Sequence, residues 1–214
     1  MNDNLFSFAL LCFTSFFTLL NPLGVMPLFM TMTKDFEMVY RRKTALKAIV
    51  VAFFTMIGFA LSGHLLFRFF GISVDSLRIV GGVIFFIMGQ DMLQARLGNT
   101  KITAAEMEEH VTDISITPLA IPMICGPGAI TNSIVLMQDA NTVEMKAILF
   151  GSIFVICLIT YLVLLTASPI MKVLGDTGNK IMLRLMGLIM MVIAVEFFFA
   201  GLKPFVVNML KPIL

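Results

Sequence analysis

Apolar residues run along this chain in long blocks, and charged residues gather in the short segments between them. Six blocks stand out, at about 5–31, 45–70, 77–95, 114–138, 145–170 and 182–202. Roughly 20 residues at 1.5 Å rise cross a ~30 Å hydrocarbon core, so each block predicts a membrane-spanning helix. Together they use almost the whole of residues 1–214, which leaves a single transmembrane domain and no soluble module. Two blocks carry residues that weaken a helix. FTLLNPLGVMPLFM (Phe17 to Met30) holds Asn21, Pro22, Gly24 and Pro27, and IPMICGPGAI (Ile121 to Ile130) holds Gly126, Pro127 and Gly128.

The halves of the chain resemble each other. LRIVGGVIFFIMGQ (Leu77 to Gln90) aligns with LRLMGLIMMVIAVE (Leu183 to Glu196), which sets Leu77 on Leu183, Arg78 on Arg184 and Gly81 on Gly187. LKAIV (Leu46 to Val50) resembles MKAIL (Met145 to Leu149), and Asn21-Pro22 falls opposite Gly126-Pro127. Repeat one covers about 1–100 and repeat two about 111–214, with a cytoplasmic linker at about 96–113. Three spans per repeat is odd, so the second copy enters the membrane from the other side. Such inverted repeats, with discontinuous helices meeting near the midplane, are a mark of secondary transporters. The expected fold is therefore an all-α membrane protein of six transmembrane helices, built as two inverted three-helix repeats. Helices 1 and 4 are broken near the midplane.

The break residues suggest what the site holds. Asn21 is a good N-cap, and Pro22 suits a first helical position because its missing N–H would be unpaired there anyway. Gly126-Pro127 repeats the device, and Gly128-Ala129 leave the backbone bare. Free N–H groups at a helix start carry partial positive charge and bind anions. Two such starts would hold a carboxylate without a Lys or Arg inside the membrane, where a charge is costly. Open carbonyls around Thr18 to Leu20 and Met123 to Cys125 would take an ammonium or a cation. The candidate site is Asn21, Pro22, Gly24, Gly126, Pro127, Gly128, Ala129, Thr131 and Asn132, which suits a small zwitterion. Simple kinking by proline and glycine is the plainer alternative, but matched positions in a repeat favour the site.

Other polar residues in the spans are few. Ser7, Thr14, Thr18 and Asn21 share one helix face, which serves either a hydrophilic path or helix packing. Glu196 is the carboxylate well inside a span, with Gln90 opposite it in the repeat. With Thr18 the pair is a candidate for ion coupling, by H+ or Na+, or for polar support. Cys12, Cys125 and Cys157 lie in apolar stretches with no metal or CxxC spacing, and read as buried packing residues. His64 sits near a span end and His110 in the acidic stretch AEMEEHVTD. The many Met and Phe residues read as packing and lipid contact. HExxH, GxSxG and Walker motifs are absent, so neither enzymatic chemistry nor ATP-driven transport is expected, and no organic cofactor or metal.

Composition and charge add orientation. Hydrophobic residues make up 59% and charged residues 13% of the chain, against about a quarter charged in soluble domains. Lys34, Arg41, Arg42, Lys43, Lys47, Arg96, Lys101, Lys172, Lys180 and Arg184 gather on one side, and Arg68, Arg78, Lys146, Lys203 and Lys211 on the other. The richer side reads as cytoplasmic, which leaves both termini outside. The start MNDN lacks the basic region of a cleavable signal peptide, so the first span is expected to stay.

NPLGVMPLF, LRIVGGVIFFIMG, PLAIPMICGPGAI and RLMGLIMMVIAVEFFFAGL together resemble the MarC/SnatA family of bacterial and archaeal inner-membrane proteins. The resemblance implies six spans and transport of small neutral amino acids such as glycine or alanine. It implies that the family's NPxG element is Asn21, Pro22 and Gly24, and its GPGA element Gly126, Pro127, Gly128 and Ala129. Where relatives commonly have Gln in the last span, this chain has Glu196, which counts against a shared proton-coupling role there. The expected partners are a small neutral amino acid and the bilayer, with no nucleic acid and no oligomeric state assigned. An exporter or channel for another small solute or drug is the alternative.

Overall fold

A computed structural model describes residues 2–94 and 113–210. Of the linker placed at 96–113, only Asp113 falls within them; His110, Arg96, Lys101 and Lys211 lie outside. The regular elements among the described residues are helices: α1 (Asn2–Leu20), α2 (Pro22–Met32), α3 (Met38–Phe70), α4 (Val74–Leu93), α5 (Ser115–Ile124), α6 (Pro127–Asp139) and α7 (Val143–Leu210). Five stretches are long and apolar enough to cross a membrane: Asn4–Met32, Met38–Phe70, Val74–Leu93, Val143–Ala167 and Thr177–Val207. The pair α5 and α6, bent by 58°, makes a sixth if taken as one span.

The junction of α1 and α2 is a single residue. The Asn21 N–H donates to the Phe17 carbonyl at 3.1 Å, and the Asn21 carbonyl accepts from the Gly24 and Val25 N–H groups at 2.9 and 3.1 Å. Between these, Asn21 takes a left-handed conformation (φ 42°, ψ 66°), which Asn tolerates better than most residues. Pro22 has no N–H to continue the α1 ladder, so the ladder is interrupted at this one residue, and the apolar stretch Asn4–Met32 still runs as one span.

The second interruption differs from the sequence expectation. A regular half-helix was expected up to Gly126, with one break there. Instead α5 is loosely wound, with Thr117 (φ −131°, ψ 123°) and Ile121 (φ −127°, ψ 121°) both extended. Each precedes a proline, Pro118 and Pro122, in a cis peptide. A proline pushes its predecessor out of the helical region and removes a donor of its own. The stretch TPLAIP does this twice, four residues apart. The chain returns to regular helix at Pro127, with Gly126 extended before it (φ −76°, ψ 173°).

Blocks 145–170 and 182–202, expected as separate spans, correspond to two apolar stretches, Val143–Ala167 and Thr177–Val207, whose helices meet at a kink. Helix α7 runs from Val143 to Leu210 and is interrupted at Gly175 (φ 63°, ψ −178°), a conformation essentially limited to glycine. Elsewhere the turns follow ordinary chemistry. Gly71 ends α3 in the left-handed region, with the Ile72 N–H on the Phe67 carbonyl at 2.9 Å, as helix C-termini commonly do. Ser73 then caps α4 by accepting from the Ser76 N–H at 3.0 Å. Arg41, from the first turn of α3, donates to the Thr33 and Lys34 carbonyls at 2.8 and 2.6 Å and so closes the end of α2.

The main core lies between α1, α2, α3, α5, α6 and the first part of α7, around Phe16, Leu20, Met56, Ile124, Ile134 and Ile153. A second close packing joins α4 to the last part of α7, and it is made by glycines. A Cβ on Gly89 would stand 2.7 Å from the Gly187 carbonyl oxygen, and one on Gly187 2.6 Å from that of Gly89. The two backbones therefore touch, the arrangement that small residues permit between helices in lipid.

Candidate functional site

The first turn of α2 is built around Asn21. Its Oδ1 accepts from the Gly24 N–H at 3.1 Å, satisfying one of the open donors at the helix start. Gly24 is needed for this, since a Cβ there would overlap the Asn21 side chain. The motif N-P-x-G is thus one local unit: a left-handed link, a first-turn proline and a glycine that admits the capping amide. At α6 two other residues fill the space beside the turn. A Cβ on Gly126 would meet the Phe85 ring, and one on Gly128 the Phe197 ring. The two rings are packed edge-to-face with centroids 6.1 Å apart.

Both helix starts border one cavity of about 130 Å³. At ~30 Å³ per water molecule this is the space of roughly four waters. Thr18, Leu19, Leu20, Asn21, Gly24 and Val25 line it from α1 and α2, and Gly128 and Ala129 from α6. The opposite wall is apolar: Phe85 and Met92 from α4, Met123 from α5, and Met186, Met190, Ile193 and Phe197 from α7. Among the described residues, no charged side chain lines it. The polar character comes from Thr18, Asn21 and the backbone of the two first turns, whose partial charge is positive.

The profile described as MarC family integral membrane protein matches residues 6–206. The chain belongs to the MarC family. UPF0056 membrane protein MJ1677 of Methanocaldococcus jannaschii is 35% identical over 198 residues, 92% of this chain and 96% of the relative. UPF0056 membrane protein PH0760 of Pyrococcus horikoshii is 37% identical over 91% of this chain and 94% of its own length. UPF0056 membrane protein YvbG of Bacillus subtilis is 34% identical over 93% of this chain and 96% of its own length. No solved structure matches. As a MarC family member the chain is an integral, multi-pass membrane protein.

Within this MarC fold the sequence candidates divide. Thr18, Asn21, Gly24, Gly128 and Ala129 lie on the cavity wall. Pro22, Gly126 and Pro127 are next to it in the chain, buried but not lining it. Pro127 packs toward α4, against the space a Gly81 side chain would take. Asn132 faces α1, donating from Nδ2 to Ser15 Oγ at 3.0 Å. Thr131 is 4% exposed, and its Oγ1 has no hydrogen-bond partner among the described residues. Gln90 and Glu196 are exposed on the outer surface, away from the cavity. Cys125, at the break, is fully buried but not in the lining.

The apolar wall was missed in the sequence, where Met and Phe read only as packing. One signal was available. Met186, Met190, Ile193 and Phe197 follow one another at 4, 3 and 4 residues, one face of a helix. Nothing in the sequence says which of several such faces turns inward.

Proposed function

We propose that this MarC family protein is a secondary transporter of small neutral amino acids of the glycine or alanine type. The observation that carries the proposal is that the starts of α2 and α6 border one small cavity with no charged side chain among the described residues of its wall. The first turn of α6, at Gly128 and Ala129, can attract a carboxylate through N–H groups and partial charge, without an ion placed in the membrane. The start of α2, whose Gly24 and Val25 N–H groups bond to Asn21, adds partial charge alone. Thr18, Asn21 and the open carbonyls near them suit the ammonium group. The methionine and isoleucine wall suits a short apolar side chain, and the volume excludes a long one.

The mechanism we propose is alternating access. The chain is read as two inverted three-helix repeats that rock against each other about the cavity, as broken-helix transporters do. The coupling ion is H+ or Na+, and no chemical conversion of the substrate is involved. The protein lies in the cell (inner) membrane with both termini on the outer side, following the excess of Lys and Arg in the other loops.

The test is counterflow of labelled glycine and alanine in liposomes holding the purified protein, with and without ion gradients. Saturable exchange that excess unlabelled small amino acids compete away is the expected result, and the gradients identify the ion. No exchange by folded protein would overturn the amino acid reading. The mainly apolar lining favours, as second reading, an exporter or channel for another small, less polar solute, drugs included. That reading expects flux without amino acid competition.

A further inference from the structure

Glu196 lies deep in the last span. Arg184 and Lys203 flank it at twelve and seven residues, or about 18 and 10 Å along a helix. Its side chain is on the outer surface of the chain, and none of the described residues hydrogen-bonds or pairs with it. A carboxyl group at that depth is costly against hydrocarbon and almost always faces protein or water. The surface around it has a regular pattern. Leu185, Val192 and Phe199 recur every seven residues and are 53%, 59% and 61% exposed. Glu196 stands four residues after Val192 and three before Phe199. This is the alternating spacing of a helix–helix seam, in which a single polar residue fixes register.

We propose that this face of α7 is the interface of a homodimer, with Glu196 of one copy against Glu196 of the second. Copies inserted in the same direction are related by a two-fold axis along the membrane normal, which sets each residue at the depth of its own counterpart. Two carboxyl groups that meet across such an axis can share a proton in a hydrogen bond, one as donor and the other as acceptor. Lipid alone, or an apolar helix of another protein, leaves Glu196 without a partner. The shallow apolar groove beside the seam, between Val83 and Phe86 of α4 and Phe198 of α7, extends the contact surface. The inference does not depend on what the cavity transports.

The test uses the full chain in native membranes. The three native cysteines are buried, so a short thiol-specific cross-linker reads an introduced one. Val192→Cys is expected to give a covalent dimer. Phe154→Cys, 57% exposed on the other span of α7, is expected to give little. Glu196→Leu is expected to raise the dimer dissociation constant about three- to twentyfold, the range for interhelical hydrogen bonds in membranes, as read by single-molecule energy transfer in liposomes. Leu is favourable against lipid, so the variant folds, and Glu196→Gln, again donor and acceptor, is expected to retain the dimer. Cross-linking of Val192→Cys no better than the control would overturn the proposal. So would a product of different mass, or a Glu196→Leu protein that dimerises like the wild type.

Discussion

Gly128 is the position where a single methyl group tests the cavity most directly. An alanine Cβ there would lie 2.8 Å from Phe197 Cε1 and 2.9 Å from Leu19 Cδ2, and nearer still to Phe197 Cζ. Carbon atoms rest about 3.5–4.0 Å apart, so the ring must retreat by roughly an ångström. It has little freedom to do so, because Phe85 packs edge-to-face against it and is itself 7% exposed. Overpacking of this kind costs typically 1–3 kcal/mol. The helix-propensity gain of Gly→Ala offsets up to about 1 kcal/mol of that in stability. It does nothing for the ligand, toward whose space the ring and Leu19 are pushed. If the strain falls on binding, the KM for glycine rises about five- to 150-fold in Gly128→Ala, while Gly128→Leu fills the pocket and abolishes uptake. The assay is initial uptake into liposomes across a range of glycine concentrations, with abundance and thermal midpoint measured on the same preparations. Phe197→Leu removes the atoms in conflict, so the double variant is expected to recover most of the lost KM, a coupling that only neighbouring residues have. A KM for Gly128→Ala within twofold of wild type, or a double variant no better than the single, would refute the reasoning.

Three further perturbations test the scaffold. Asn21→Ala loses both the cap and a residue tolerant of the left-handed link, together about 2–3 kcal/mol, whereas Asn21→Gly costs only a few tenths; equal shifts in the detergent thermal midpoint would refute the capping account. Gly175→Ala has open space for its Cβ, so any loss is backbone strain of about 1–3 kcal/mol, and an unchanged midpoint would mean that α7 relaxes there at no cost. Arg41→Lys keeps the charge but not the planar fork that serves two carbonyls, so Lys is expected to lower the midpoint nearly as much as Ala, roughly 2–8 °C for about 1–2 kcal/mol; full retention by Lys would show that charge alone suffices.

Much of this architecture was legible because lipid simplifies the problem. Backbone groups in hydrocarbon must be satisfied internally, so long apolar blocks become helices, and block lengths place most of the spans. Asn21, Pro22 and Gly24 were legible because their chemistry is local: a cap, a missing donor and a missing side chain all act within one turn. The region around Pro118 and Pro122 differs from the regular half-helix expected there, because each of these two prolines unwinds α5 at its predecessor before the break at Gly126 is reached. Phe85 and Phe197 were out of reach because their role depends on long-range packing against Gly126 and Gly128.

The position of Glu196 beside Phe197 joins the two proposals physically. Successive residues on a helix point about 100° apart, so one turn of α7 presents Phe197 to the cavity and Glu196 to the outside. The same turn packs on α4, where a Cβ on Gly82 would stand 2.7 Å from the Ala194 carbonyl oxygen. Backbone contact this close resists sliding, because any shift of one helix drives it into the other. The cavity wall formed by α4 and α7 is therefore the stiffer one, and a dimer contact through Glu196 would stiffen it further. The facing wall comes from α1, α2 and α6, and the first turns of α2 and α6 follow the interruptions at Asn21 and Gly126. In the alternating access proposed above, the starts of α2 and α6 belong to different repeats and are expected to move relative to each other about the α4–α7 contact. Restraining that wall by cross-linking Val192→Cys dimers is then expected to leave exchange intact. A disulfide tying Ser15→Cys to Asn132→Cys, across the 3.0 Å contact between α1 and α6, is expected to stop it. Exchange that survives the second link and fails with the first would assign the motion to the opposite wall.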